Sequence, residues 1–127
     1  MLNGFHHVAV ICSDYKVSKS FYTDILGFSV IDENYRSERD SYKCDLSLPD
    51  GSRIELFSFP SAPSRISNPE ARGLRHLAFK VENIDTVVAT LADNNVVCED
   101  IRVDPYTNKR FTFFQDPDGL PLELYEQ

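Results

Sequence analysis

A chain of 127 residues with 42% hydrophobic content is the size of one domain or two small half-domains, and it can fold without staples. Its formal net charge of −7 disfavours a broad nucleic-acid or anionic-membrane surface, so an anionic ligand would have to be met by a few local Arg and Lys residues. Cys12, Cys44 and Cys98 are odd in number and far apart, fit neither a disulfide framework nor a Cys-x-x-Cys site, and are expected to be reduced and buried. The first ten residues lack the pattern of a signal peptide and no apolar run approaches the length of a membrane span, so the expectation is a soluble, cytoplasmic protein.

Apolar alternation begins at Phe5 and predicts a strand through Cys12. Asp14 is a natural helix N-cap, Val17, Phe21, Ile25 and Leu26 recur at helical spacing, and Gly27 supplies the stop. Strands are predicted at 28–34, 42–48 and 53–59, the last two joined by a Pro49-Asp50-Gly51 turn. Pro60, Pro63 and Pro69 with several serines mark residues 60–72 as a linker between a first module, about 1–59, and a second, about 73–127, of a single domain. The pattern then restarts. Residues 74–81 alternate, Ile84, Val87, Val88 and Leu91 form a helical face, and strands are predicted at 97–103, 110–115 and 121–125. Two βαβββ modules make an α+β fold, in which each sheet has one face sealed by a helix and another free to curl around a cavity. In Ile54-Glu55-Leu56 and Leu122-Glu123-Leu124 the aliphatics should face the helices, which turns both glutamates into the cavity.

The two modules repeat more than their strand order. His7, Asp14, Gly51 and Glu55 are matched by His76, Asn83, Gly119 and Glu123, with offsets of 69, 69, 68 and 68 residues. A repeat this regular implies one supersecondary unit used twice, so two imidazoles and two carboxylates should come together by pseudo-symmetry. Such a set suits Zn, Ni, Co, Fe or Mn, and the lack of thiolates argues against a closed structural zinc site. Any one of these residues alone is more commonly a packing histidine or the wet face of a strand; their joint placement in a duplicated unit is what favours the metal.

The segments HHVAVICSD, FYTDILGF, RIELF, GLRHLAFKVEN and DPDGLPLELYE closely resemble those of the vicinal oxygen chelate superfamily, glyoxalase I-like branch, over essentially the whole chain. The resemblance implies the glyoxalase/bleomycin-resistance-like fold, with the metal ligands at His7, Glu55, His76 and Glu123. His7 is preferred to His6 because it precedes Asp14 by the interval that separates His76 from Asn83; His6 should pack or support it. The resemblance further implies a divalent-metal-dependent lyase of the lactoylglutathione lyase type. Glu123 or Glu55 would abstract a proton from a hemithioacetal, or a similar thiol adduct, and the enediolate would be stabilised. A homodimer is also implied. Glutamate rather than glutamine at position 55 is what selects this branch over the acyl-CoA epimerases of the superfamily. The Asp32 region lacks the basic residue that glutathione-dependent proteins of this type carry, which weakens the expectation of glutathione itself. Arg36, Arg39, Arg65, Arg72, Lys109 and Arg110 are the loop cations available to an anionic group. The alternatives are another metalloenzyme of the superfamily acting on a different small molecule, or a non-catalytic small-molecule binding or resistance protein.

Overall fold

The computed structural model describes all 127 residues as two compact units, Met1–Ser64 and Arg65–Gln127. Unit 1 runs β1 (Val8–Cys12), α1 (Tyr15–Ser20) with a π-helical turn at Phe21–Ile25, β2 (Ser29–Arg36), β3 (Ser41–Ser47) and β4 (Arg53–Ser58). Unit 2 runs β5 (Leu77–Val81), α2 (Ile84–Asp93), β6 (Arg102–Val103), β7 (Arg110–Gln115) and β8 (Pro121–Glu126). Each unit is therefore βαβββ, an α+β arrangement built on a four-stranded mixed sheet, in the orders β1-β4-β3-β2 and β5-β8-β7-β6. No helix is long and apolar enough to cross a membrane.

The first and last strands of each unit lie side by side in parallel, β1 on β4 and β5 on β8, and the remaining pairs are antiparallel. Both helices begin as the sequence dictates. The Asp14 carboxylate accepts from the Val17 amide at 3.2 Å and the Asn83 carbonyl oxygen accepts from Thr86 at 3.1 Å, each satisfying an amide that the first helical turn leaves open. The hairpin turns also follow the sequence. Gly51 and Gly119 adopt φ of +88° and +81°, which glycine accepts without strain, and Asp50 and Asp116 side chains accept from amides of the turns.

Helix α1 lies against β4 and α2 against β8. Ile54, Leu56, Leu122 and Leu124 are buried, while the alternating Glu55 and Glu123 take the opposite sheet face. Tyr22, Phe28 and Leu46 complete the core of unit 1; Ile84, Leu91 and Phe114 complete that of unit 2.

Three expectations need correction. Strands β1 and β5 begin at Val8 and Leu77, not at Phe5 and Leu74, so both histidines stand just before their strands. In unit 2 the partner strand opens at Pro121, whose nitrogen has no hydrogen to extend the ladder. Residues 97–101 do not form a strand: β6 is two residues long, and the preceding backbone is tied to β7 by Glu99 donating to the Phe113 carbonyl at 2.8 Å and by the Thr112 hydroxyl donating to the Glu99 carbonyl at 2.7 Å. A side-chain hydroxyl there replaces a backbone rung. Cys12 and Cys44 are buried and form no disulfide, but Cys98 is only half-buried.

Leu122 is fully buried, so Leu122→Ala is expected to cost about 2–5 kcal/mol in urea unfolding. Loss of the cap in Asn83→Ala should cost about 1 kcal/mol, and Lys80→Ala on the exposed face of β5 should stay within about 0.5 kcal/mol.

Candidate metal centre

The parallel ladders place the ligand candidates. Ala9 pairs with Glu55 and Ala78 with Glu123, so the residue two positions before each alanine, His7 or His76, lies on the glutamate's side of the sheet. Because the residue paired with each glutamate is alanine, its methyl does not keep the imidazole from the carboxylate. His7 Nε2 stands 3.4 Å from Glu55 Oε1, and His76 Nε2 stands 2.9 Å from Glu123 Oε2. Two ligand atoms sharing one divalent ion at about 2.0–2.2 Å lie about 3–3.5 Å apart, so each pair has the spacing of adjacent ligands on a metal. Neutral imidazole with carboxylate suits a first-row divalent cation. No group of three or more His, Cys, Asp or Glu side chains stands in a metal-holding arrangement.

The two pairs differ in their surroundings. In unit 1, His6 Nδ1 lies 2.8 Å from His7 Nδ1, so one ring donates to the other and His7 is left with Nε2 facing Glu55. His6 thus orients His7, in the way that partners of a ligating imidazole fix its ring. Directly across from Glu55 is Asp45, and the two carboxylates are balanced by Lys43, 2.7 Å from Asp45 and 3.8 Å from Glu55, with Arg53 at 3.9 Å from Asp45. In unit 2, Phe113 replaces Asp45 across from Glu123, and the His76 ring stands edge-on to it with centroids 5.1 Å apart. Glu123 is correspondingly drier, its side chain 11% exposed against 18% for Glu55, and it has no Lys or Arg partner.

Of the loop cations, Arg110 is committed elsewhere. Its guanidinium bonds Glu126 at 2.8 Å and Asp85 at 3.0 Å, which raises its own pKa and holds the Glu126 carboxyl below the usual range. Arg36 bonds Ser41 and lies over the Phe57 and Phe59 rings, and Arg39 lies over Phe59. Arg65 alone among those named at the outset lines a cavity that also holds His76. Arg75, Arg102 and Phe113, which no sequence motif marks, line it as well. Phe113 and Asp45 were findable: the turns at 49–51 and 116–119 pair 47 with 53 and 115 with 121, and counting back along each hairpin reaches both.

Residues 4–124 match the family model described as Glyoxalase/Bleomycin resistance protein/Dioxygenase superfamily. The chain is 65% identical over 126 residues to the uncharacterized protein YaeR of Escherichia coli, covering 99% of this chain and 98% of that one. It is 28% identical to the metallothiol transferase FosB of Staphylococcus saprophyticus, covering 98% of this chain and 78% of that one. Among solved structures it superimposes on a glyoxalase family protein from Enterococcus faecalis with a TM-score of 0.92 at 50% identity, over 98% of each chain. Both the sequence match and the paired βαβββ units place the chain in the Glyoxalase/Bleomycin resistance protein/Dioxygenase superfamily, to which it belongs.

Proposed function

We propose that the protein is a divalent-metal-dependent enzyme of the glyoxalase I-like type, with His7, Glu55, His76 and Glu123 as the four ligands of one ion. The observation that carries this reading is the occurrence of the same imidazole–carboxylate pair, at ligand spacing, at equivalent positions of both units. When bound, the ion supplies Lewis-acid polarisation of two adjacent oxygens on a small substrate.

The protein's own residues do the rest. His6 holds the His7 ring in orientation, and Phe113 walls off one side of His76. Glu123 serves as the base of the two glutamates, because it lies beside Phe113, shielded from water and with no Lys or Arg on its carboxylate, whereas Lys43 stands 3.8 Å from Glu55 and holds that carboxylate in place. Glu123 then takes the proton from the hydroxyl-bearing carbon and returns it to the adjacent carbonyl carbon, while the hydroxyl proton passes from the first oxygen to the second, the overall change being an isomerisation. The substrate in this reading is a hemithioacetal or a similar thiol adduct, and the protein works as a homodimer. A second reading, transfer of a thiol to a small molecule, is favoured by the similarity to FosB.

Purified protein reconstituted with Ni, Co, Zn or Mn is expected to convert the methylglyoxal–glutathione hemithioacetal, or to exchange the substrate's carbon-bound hydrogen for deuterium. If metal-loaded protein shows neither with any of the four ions, the lyase reading fails. Glu123→Gln should lower turnover by about a hundredfold or more, with a smaller effect on metal content. Ala78→Leu places a larger side chain beside Glu123 and should displace its carboxylate from His76, weakening metal binding by about tenfold or more, with thermal stability nearly unchanged because position 78 is exposed.

A further inference from the structure

Unit 2 contains a cavity of about 290 Å³ that opens beside His76. Its lining includes three arginines, Arg65, Arg75 and Arg102, and two glutamates, Glu70 and Glu99. The charges do not cancel. Arg75 pairs with Glu70 at 2.7 Å and Arg102 with Glu99 at 2.9 Å, but Arg65 has no carboxylate partner. Neutral acceptors hold it instead: its Nε donates to the Ser67 hydroxyl at 2.7 Å, and one terminal nitrogen donates to the Leu74 and Arg75 carbonyls at 3.2 and 3.0 Å. The guanidinium is therefore fixed in place, its positive charge is uncompensated, and its other terminal nitrogen is left for a ligand. A preorganised arginine of this kind suits an oxyanion with two or more acceptor oxygens. Arg102 adds a flat wall, lying over Phe111 at 5.0 Å and Phe113 at 5.8 Å. Phe113 in turn meets the His76 ring, so the arginine cleft is continuous with the unit 2 ligand pair.

We propose that this cleft is an anion subsite: it takes the carboxylate or phosphate-type group of a small substrate whose reacting oxygens lie beside His76, and Arg65 is the residue that holds that group. Placement next to the reacting oxygens rests on the metal-dependent reading above; the anion site itself does not. The substrate class narrows to small molecules bearing an anionic group close to the chelating oxygens. Glu99 acts against the anion by occupying Arg102, and its exposed ion pair is weak enough to be displaced.

The test is calorimetric titration of the full-length protein with inorganic phosphate, both as purified and after EDTA treatment. The expected result is saturable binding in both arms, weakened about tenfold or more by Arg65→Gln. Glu99→Gln should tighten binding about two- to fivefold. No saturable binding to the wild type, or binding that Arg65→Gln leaves unchanged, would overturn the subsite. Binding seen only with metal present and insensitive to Arg65 would place phosphate on the ion and equally overturn it. If Arg65→Gln does not fold, Glu99→Gln decides: tighter binding supports the subsite, and unchanged or weaker binding refutes it. Because the EDTA arm needs no metal, a failure of the metal reading leaves this result intact and distinguishable.

Discussion

The parallel pairing of the first and last strands of each unit, with an alanine beside each glutamate, is the constraint on which the site depends. Ala9 opposite Glu55 and Ala78 opposite Glu123 set the register. A shift by one residue would turn each glutamate into the helix-covered core, where an unpaired carboxylate is costly. The buried neighbours Ile54, Leu56, Leu122 and Leu124 oppose that shift, since it would put four aliphatic side chains into water. Packing on the helix side thus fixes chemistry on the other side.

Duplication gave both units the same frame, and their surroundings then made the two pairs unequal. Glu55 shares its strand face with Asp45, Lys43 and Arg53, a charge-balanced setting that holds the carboxylate in place. Glu123 faces Phe113 and is largely shielded from water. Within the proposed mechanism this divides the labour, with one glutamate anchoring and the other exchanging a proton. The same phenylalanine contacts His76 and lines the arginine cleft, so the proposed chemistry and the proposed recognition would meet in unit 2.

Much of this was legible in the residues, because local rules and the repeat agree with each other. Asp14 and Asn83 name their helix starts, and the Gly51 and Gly119 turns set hairpin register. Alternation in Ile54-Glu55-Leu56 and Leu122-Glu123-Leu124 assigns each glutamate a side. What escaped depends on partners distant in sequence. The start of β5 is set by Pro121 at the opening of β8, and the loss of strand at 97–101 by a hydroxyl on β7. The π-helical turn at Phe21–Ile25 leaves no clear mark in an apolar pattern that also reads as ordinary helix. Arg65 looked like any loop cation in a proline- and serine-rich stretch; only the folded backbone brings the Leu74 and Arg75 carbonyls to it.

In the proposed function the two imidazole–carboxylate pairs are halves of one metal site. Metal stoichiometry in paired variants tests it most directly. One double variant carries His7→Ala with Glu55→Ala and the other His76→Ala with Glu123→Ala, each measured by elemental analysis after loading and exhaustive dialysis. The account predicts one tightly held ion per wild-type chain and essentially none in either double variant, because two ligands alone do not retain a labile divalent ion against dialysis. Two ions per wild-type chain with one kept in each double variant would contradict it, as would a wild-type protein that holds none.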